Sequence, residues 1–217
     1  MTTILLADDH HVFRECLREL LDRESDLHVV GEAESGREAV ELARSTQPNV
    51  VLMDISMPEL NGIDATVQIR AASPESRVIA LSTHSDRQFV DGMMKAGARG
   101  YLLKHARFED VVHAVRIVAS GQSYLHPQVA HTLIDGYVDS LAGGAASTAS
   151  DPQLSTRERE VLQLIAEGKS TKETANSLGL SVSTIESHRR QIMKRLNLHS
   201  VAELTKYAVR HGLTSLE

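Results

Sequence analysis

The stretch "ILLADDHHVF", residues 4–13, places an apolar run directly before two adjacent aspartates, Asp8 and Asp9. The run is too apolar for an exposed segment and predicts a buried strand, and the helical pattern that starts near Val12 predicts a helix after it. Two like charges at the end of a buried strand are unfavourable unless a partner neutralises them. The fold and the chemistry of the chain are both expected to depend on this strand end.

The same strand-then-helix unit recurs four more times along the first part of the chain. The further strand-like runs are "HVVGEA", "NVVLM", "RVIAL" and "GYLL", and helical patterns begin near Gly36, Gly62, Arg87 and Phe108. Five such units in succession favour a parallel sheet with helices on both faces. We therefore predict an α/β fold for residues 1–123, a doubly wound five-stranded sheet of the flavodoxin-like order.

A composition change near residue 150 predicts a domain boundary. Residues 124–151 contain a helical pattern followed by small residues, and "AGGAASTASDPQ" (142–153) is typical of a flexible linker. Beyond it, Ser155 and Glu158 have capping-box spacing, and a short helix, a turn at Gly179 and a longer helix follow. Residues 152–217 are thus predicted to form a small all-α helix-turn-helix domain.

Length and composition exclude several classes of protein. With 217 residues, 41 % hydrophobic and 24 % charged, the chain suits two globular domains rather than disorder or membrane insertion. Neither a signal peptide nor a membrane span can be drawn at the start, so a cytoplasmic location without membrane contact is expected. The single cysteine, Cys16, cannot form an internal disulfide, and its place in a helical pattern predicts a buried or half-buried structural side chain.

The net charge of −6 is unevenly distributed. Residues 1–151 carry 13 Lys plus Arg against 22 Asp plus Glu, a net charge of −9. Residues 152–217 carry 10 against 7, a net charge of +3. The second part therefore suits a polyanionic partner better than the first does, although +3 alone is a weak signal.

Polar side chains end four of the predicted strands. Asp8 and Asp9 end the first strand, Asp54 the third, Ser82 with Thr83 the fourth, and Lys104 the fifth. Because the first and third strands are neighbours in the flavodoxin-like order, three carboxylates should converge, and hard oxygen ligands favour Mg²⁺. Each residue also has an ordinary structural reading: Asp9 as a helix cap, Asp54 in a turn, Lys104 as a surface charge.

The motifs that carry these residues resemble a known family. "LLADDHHVFRECL", "VVLMDISMPELNGIDA", "IALST" and "AGARGYLLK" resemble the receiver domain of two-component response regulators. "LSTREREVLQLIAEGKSTKETANSLGLSVSTIESHRRQIMKRLNLHS" resembles the helix-turn-helix domain of the NarL/FixJ class. Together the two resemblances cover nearly the whole chain apart from the linker. The chain departs from the usual pattern at Cys16, where Gly is common, at His105, where an acid is common, and at Thr171, where Asn is usual.

The resemblance implies a role for each site residue. Asp54 would accept a phosphoryl group from a sensor histidine kinase, and Lys104 and Ser82 would contact that group. Mg²⁺ would be held by Asp9, Asp54 and the Ser56 carbonyl, with Asp8 acting through water. Tyr101, together with Ser82, would reorient with the switch. His84 and Ser56 stand at positions that influence the lifetime of the phosphoryl group in such receivers.

The longer helix that follows the turn at Gly179 is the predicted DNA-recognition element. Ile185, Ile192 and Leu196 recur at helical spacing and should face the core. The outer face is then left for DNA contact, although a solvated charged helix is the ordinary alternative. The predicted DNA-contacting residues are Lys169, Thr171, Lys172, Thr184, Glu186, Ser187, His188, Arg189, Arg190 and Lys194. The final helix resembles the dimerisation element of the family, so a homodimer is expected at least in the phosphorylated or DNA-bound state.

These inferences predict a phosphorylation-controlled, DNA-binding transcription regulator, and not an enzyme. One rival is a phosphatase that uses Asp8 or Asp9 as nucleophile; adjacent acids and the helix-turn-helix domain count against it. Another rival is a regulator that is never phosphorylated. The chain argues against it because it has all four of the expected site residues, Asp9, Asp54, Ser82 and Lys104. The 11 histidines show no convincing zinc-ligand spacing.

Overall fold

The computed structural model describes residues 1–141 and 154–214, with the side chains of 136–141 left out. The chain divides into two compact units, Met1–Gly144 and Ala145–Glu217. The predicted flexible segment, residues 142–153, lies outside the described residues. Each unit is described by itself below.

The first unit is built on one parallel sheet. Its strands are β1 (Thr2–Ala7), β2 (Leu27–Ala33), β3 (Val50–Met53), β4 (Arg77–Ser82), β5 (Gly100–Leu103) and β6 (Tyr124–Leu125). The strand order is β2-β1-β3-β4-β5-β6, and every neighbouring pair is parallel. The predicted α/β class and doubly wound order are confirmed. The predicted number of five strands is wrong, because a two-residue strand, too short to show a sequence period, pairs with the open edge of β5.

Helices connect and cover these strands. They are α1 (His11–Leu21), α2 (Gly36–Thr46), α3 (Gly62–Ala72), α4 (Arg87–Ala96), α5 (Phe108–Ala119) and α6 (Pro127–Leu141). The five starts predicted for α1 to α5 agree with the structure to within one residue. None of the helices within the described parts of the chain is long and apolar enough to cross a bilayer.

Strand β6 and helix α6 belong to the first unit. Val129 is fully buried, and Leu125 and Leu133 pack against the same apolar cluster, which also contains Tyr101. Helix α6 packs against α4. The boundary predicted at residue 123 therefore falls inside this compact unit.

The sheet buries apolar side chains on both faces, as a doubly wound fold requires. One layer includes Leu5, Val51 and Ala80, and the other includes Ile4, Leu52 and Ile79. On α1 the core-facing positions are Arg14, Leu17 and Leu21. Cys16 falls between them and is exposed, so the prediction of a buried or half-buried cysteine is wrong.

The second unit is a small all-α domain. Its helices are α7 (Thr156–Ala166), α8 (Thr171–Leu178), α9 (Val182–Leu196) and α10 (Val201–Arg210). Ser155 and Glu158 form the predicted capping box, and Gly179 ends α8 in the left-handed conformation at φ 62°. Glycine adopts this conformation without steric cost, which permits the tight turn between α8 and α9. Val161, Ile185, Ile192 and Leu204 lie in the common core.

Candidate functional site

The carboxyl ends of β1 and β3 bring the predicted carboxylates together. Ala7 pairs with Met53 in the sheet, and the Asp54 N–H donates to the Ala7 carbonyl at 2.8 Å, which aligns the two strand ends. Ligand atoms of Asp8, Asp9, His10 and Asp54 all lie within 4.8 Å of one another. The side chains of Asp8 and Asp54 are 6 % and 4 % exposed, whereas that of Asp9 is 31 % exposed. The pocket therefore contains two buried acids and one open to solvent.

Lys104 supplies the positive charge at this pocket. Its Nζ lies 2.7 Å from Oδ2 of Asp54, to which it donates a hydrogen bond, and 2.9 Å from Oδ2 of Asp8. The backbone N–H of Lys104 donates to the Ser82 carbonyl, and its ammonium stands 5.3 Å from the centre of the Phe13 ring. The side chain is only 12 % exposed. Lys104 is thus a member of the pocket and not a surface charge.

The pocket changes the acid–base properties of its members. Burial raises the pKa of Asp54 to about 6, and the neighbouring Asp8 carboxylate adds to this rise, while Lys104 opposes it. Burial alone lowers the pKa of Lys104, but its contacts with Asp54 and Asp8 outweigh this and raise the pKa above the ordinary value. The lysine stays charged at neutral pH, and the charge of Asp54 is disfavoured by burial more than Lys104 offsets.

The pocket fits a divalent cation. Oδ2 of Asp8 is buried, and the Lys104 ammonium that lies 2.9 Å from it also serves Asp54. Clustered carboxylate oxygens are the ligands that Mg²⁺ prefers, together with water and phosphate oxygens. The Ser56 N–H lies 3.4 Å from Oδ1 of Asp54, which places this residue beside the same acid.

A second group of polar residues lies around the ends of β4 and β5. Ser82 is buried, and its Oγ accepts a hydrogen bond from the His84 N–H at 3.1 Å. Tyr101 is fully buried, and its hydroxyl donates to the His84 carbonyl at 2.7 Å. The His84 ring stacks on Phe89 with centroids 4.3 Å apart, and its Nε2 lies 3.5 Å from Oγ of Ser56. The loop at His84 is therefore bonded to both predicted switch residues.

Gly62 allows helix α3 to start against the Asp54 loop. A Cβ at this position would lie 1.9 Å from the Asp54 carbonyl oxygen, which no side chain can tolerate. The Gly62 N–H donates to the Ile55 carbonyl at 2.8 Å. The Cβ-free residue thus lets the helix pack directly beneath the residue that carries the site.

Sequence reasoning missed two residues that contact the acids. The His10 backbone N–H donates to Oδ1 of Asp8 at 2.9 Å, and its Nδ1 lies 2.9 Å from Oδ1 of Asp9. His10, not Asp9, is the N-cap of α1. Arg14 is buried and donates to the Asp8 carbonyl. A signal for Arg14 was present, because a charged residue at a core-facing helical position needs a buried partner.

Helix α9 of the second unit presents a polar face opposite its core contacts. Ile185 and Ile192 are buried, whereas Glu186 and Arg190 are exposed. Nε of Arg190 bonds to the Glu186 carbonyl at 3.4 Å, and no ion pair joins these two side chains in the part of the chain that the structure describes. The Glu186 carboxylate is therefore turned to solvent.

The other predicted DNA contacts fall on or near α8 and α9. Lys172 and Lys194 are exposed, and the half-buried ones are Lys169, Thr171, Thr184, Ser187, His188 and Arg189. Arg195 is also on α9, but its Nη1 bonds to Oε2 of Glu158 at 2.6 Å. That arginine is thus used inside the domain.

The fold and the acidic pocket define a receiver joined to a helix-turn-helix module, and comparisons with known proteins agree. Residues 4–116 match the family model of the response regulator receiver domain. Residues 152–208 match that of bacterial regulatory proteins of the luxR family. The chain belongs to the two-component response regulators that combine these two domains, and it is a DNA-binding transcription regulator.

Curated relatives and solved structures match most or nearly all of the chain. The oxygen regulatory protein NreC of Staphylococcus carnosus is 38 % identical over 97 % of this chain and 98 % of its own length. A luxR-family response regulator from Aurantimonas has a solved structure with TM-score 0.61 and 33 % identity, covering 64 % of this chain and 99 % of that one. The response regulator RcsB in complex with DNA gives a TM-score of 0.58 at 25 % identity, covering 95 % of this chain and 96 % of that one.

Proposed function

We propose that this response regulator accepts a phosphoryl group on Asp54 from a sensor histidine kinase. The observation that carries the proposal is the position of Lys104, whose ammonium lies 2.7 Å from Asp54 and 2.9 Å from Asp8. In the proposed step a carboxylate oxygen of Asp54 attacks phosphorus, the bond from phosphorus to the kinase histidine breaks, and the leaving imidazole takes a proton. Catalysis of this kind depends mostly on positioning and charge neutralisation.

The neighbouring residues are assigned to the new phosphoryl group. Lys104 moves its ion pair from the Asp54 carboxylate to a phosphoryl oxygen. Ser82 donates its hydroxyl to another phosphoryl oxygen, and the turn of the side chain that this requires alters the bond that its Oγ accepts from the His84 N–H. The Tyr101 hydroxyl donates to the His84 carbonyl, so Tyr101 responds when the loop that contains His84 rearranges. The switch is thereby conveyed from Asp54 to the end of β5.

Asp8, Asp9, Asp54 and the Ser56 carbonyl are the residues that would hold Mg²⁺. The clustering of their carboxylates within 4.8 Å supports this assignment. The ion, when bound, neutralises charge on the carboxylates and on the incoming phosphoryl oxygens. Asp8 would act through water, which suits a buried acid beside the other carboxylates.

Intact-mass measurement after incubation with acetyl phosphate and MgCl₂ tests the assignment of Asp54. We expect one labile phosphoryl addition that Asp54→Asn abolishes and that EDTA prevents. Asp86→Asn is the matched control, because Asp86 is an exposed aspartate in the loop before α4 and should leave the labelling unchanged. Undiminished labelling of Asp54→Asn would contradict the proposal.

The receiver is proposed to act on itself and not on a separate substrate. It accepts the phosphoryl group and slowly loses it to water, which is signalling and not turnover of a substrate. We place the protein in the cytoplasm, where DNA and the phosphorylating kinase domain are accessible to it.

We propose that α9 enters the major groove of double-stranded DNA. Arg190 and Lys194 are exposed on this helix and can pair with phosphates or guanine. Thr184, Ser187, His188 and Arg189 lie on the same helix, and Lys169, Thr171 and Lys172 hold the DNA backbone from the start of α8. The solved complex of RcsB with DNA supports this use of the second unit.

Glu186 is proposed to read a base. Its carboxylate forms no ion pair with Arg190 in the described structure, so an i,i+4 ion pair with that arginine does not account for the acid on this face. The cytosine amino group is the donor that suits a carboxylate in the major groove. Glu186→Ala should relax the preference at one position and weaken binding to the preferred site by about 1–3 kcal/mol.

Binding measured over a library of sites at several salt concentrations checks this role of Glu186. Lys206→Ala, which removes an exposed charge from α10, is the control and should keep the ranking of sites. Tighter binding of Glu186→Ala to every site, with the ranking unchanged, would show that Glu186 only repels the DNA backbone.

We propose a homodimer in the phosphorylated or DNA-bound state. On α10 Leu204 and Ala208 are fully buried in their own unit, but Val201 is 40 % exposed at the start of the helix and offers an apolar contact. Sedimentation with beryllium fluoride should show an increase in mass that Val201→Glu reduces. Val67→Glu, which changes a comparably exposed valine on α3, should not reduce it.

A further inference from the structure

Arg14 occupies a position that ordinary packing does not explain. It lies on the core-facing side of α1 with Leu17 and Leu21, and its side chain is only 5 % exposed. A buried guanidinium is unfavourable unless its donors are all used. The contacts of Arg14 show which acceptors these donors bind.

The guanidinium joins three acceptors around the end of β1. Nη1 donates to the Asp8 carbonyl at 2.5 Å, Nη2 donates to Oε1 of Glu34 at 2.6 Å, and Nε donates to Oε2 of Glu32 at 3.3 Å. Both glutamates belong to the carboxyl end of β2 or the residue just after it. Arg14 thus connects the first turn of α1, the end of β2 and the backbone of Asp8.

These bonds complete the fixation of Asp8. The Asp8 N–H donates to the Ala33 carbonyl at 3.0 Å, and Oδ1 accepts from the His10 N–H at 2.9 Å. With its carbonyl held by Arg14, the peptide groups on both sides of Asp8 are bonded. Oδ2 is the oxygen left to face the pocket.

A second arginine takes part in the ion pairs around Arg14. Glu32 also pairs with Arg18, so two arginines face Glu32 and Glu34. The contact of Arg14 with Asp8 is a directed hydrogen bond to the backbone carbonyl. Arginine suits this task because its planar fork can serve several acceptors at fixed angles, which lysine cannot do.

We infer that Arg14 is a positioning residue for the cation site: it holds the Asp8 backbone so that the carboxylate faces the pocket. This inference rests on the metal site proposed above. Groups that orient metal-site residues commonly contribute 10–100-fold to metal affinity. Arg14 acts through the backbone and not on a ligand atom, so we expect about a 10-fold loss of affinity when it is replaced.

Titration of the full chain with Mn²⁺, which carboxylate sites bind as they bind Mg²⁺, tests the inference by the electron paramagnetic resonance of the free ion. Arg14→Gln and Arg14→Lys should both bind Mn²⁺ about 10-fold more weakly than wild type. Arg18→Gln is the matched control, because Arg18 lies on the same helix and pairs with Glu32 but is 51 % exposed and is not bonded to Asp8. Its affinity should stay within about 2-fold of wild type.

The two arginine variants separate positioning from charge. If only the charge of Arg14 mattered, Arg14→Lys would bind Mn²⁺ as tightly as wild type. That result would overturn the inference. A loss in Arg18→Gln equal to that in Arg14→Gln also overturns it. A wild-type chain that leaves the Mn²⁺ signal unchanged contradicts the metal site itself, whereas wild-type binding with unaltered Arg14 variants contradicts only the role of Arg14.

Folding of each variant is checked by its thermal unfolding midpoint in EDTA. Should Arg14→Gln not fold, Glu34→Gln takes its place, since Glu34 is 67 % exposed and its replacement weakens only one anchor of the guanidinium. We then expect about a 3-fold loss of Mn²⁺ affinity with an unchanged unfolding midpoint. Wild-type affinity in Glu34→Gln overturns the inference in that case.

Discussion

Lys104 in the first unit and Arg195 in the second each hold a buried carboxylate at close range. Lys104 lies 2.7 Å from Asp54, and Arg195 lies 2.6 Å from Glu158. The two acids nevertheless differ in the direction of their pKa. That of Asp54 is raised to about 6, whereas that of Glu158 is lowered from its ordinary value.

The difference comes from what else surrounds each acid. Burial raises the pKa of both. At Glu158 this effect is outweighed because the backbone N–H and hydroxyl of Ser155 donate to Oε2 at 2.8 and 2.7 Å, in addition to Arg195. At Asp54 a second acid, Asp8, shares the one lysine. Asp54 also accepts hydrogen bonds, from the Ile55 N–H at 2.7 Å, the Ser56 N–H at 3.4 Å and Lys104, but burial and the Asp8 carboxylate outweigh them. The acid whose charge the fold disfavours is thus the one proposed to take up a phosphoryl group.

Neutralising Asp54 should therefore stabilise the first unit. In Asp54→Asn we expect the free energy of unfolding to rise by about 2–3 kcal/mol at pH 8 in EDTA, since the raised pKa measures how unfavourable the charge is in the folded state. Hydrogen exchange of the β1 and β3 amides, which reports on this unit alone, measures the change.

The pH dependence of this gain is its internal control. The folded pKa of Asp54 is about 6 against an ordinary 3.8, so the wild-type unit loses stability as the pH rises from about 4 to about 6. The gain in Asp54→Asn should accordingly be complete above pH 6 and shrink toward zero below pH 4. Destabilisation by Asp54→Asn at pH 8 would show that the two pairs do not differ in this way.

Replacing Glu158 should have the opposite sign and a smaller size. Glu158→Gln weakens a capping box and removes the negative charge that pairs with Arg195, so the second unit should lose about 1–2 kcal/mol of unfolding free energy at pH 7. Because the folded pKa is lowered, this contribution is present above about pH 4.5 and disappears as the pH falls through the folded pKa. Hydrogen exchange of the α7 and α9 amides checks it. Glu186→Gln, at an exposed site on α9, should cause almost no change, and equal losses in both variants would contradict this reading.

The smallest effect is expected at Glu173. This residue forms the same kind of capping box with Ser170, whose N–H donates to Oε2 at 2.8 Å, but it is exposed to solvent. Glu173→Gln should lower the thermal midpoint of the second unit by less than Glu158→Gln does, because water replaces the lost bonds. Equal shifts would show that the capping box, and not burial with Arg195, accounts for the stabilising role of Glu158.

Much of the fold and the pocket could be predicted from sequence because parallel strands place their carboxyl ends at one edge. The helical periods located the starts of α1 to α5, and strand order then predicted that Asp8 and Asp54 would be neighbours. The capping box of Ser155 and Glu158 is a local motif, and it forms as its spacing indicates. Local pattern and neighbouring strands are enough for these features.

Other features depend on contacts between distant parts of the chain. Strand β6 has two residues, too few for a period, and exists because the edge of β5 is available to pair. Cys16 is exposed because the core-facing side of α1 is set by residues 14, 17 and 21, which leaves it outside. Sequence periodicity alone predicts neither outcome. It does not show which strand edge is open for pairing or which helix face is covered.

The sequence by itself determined the α/β class, the helix-turn-helix domain and the set of acids, lysine and hydroxyls at the strand ends, because all of these follow from periodicity and strand order. Only the tertiary structure decided how these groups are bonded. It placed one lysine between two acids, bonded Arg190 to the Glu186 backbone carbonyl and not to its carboxylate, and set Arg14 against the Asp8 carbonyl. The physical reason is that side-chain bonds have a reach of about 3 Å, whereas sequence spacing specifies position only to the scale of an element.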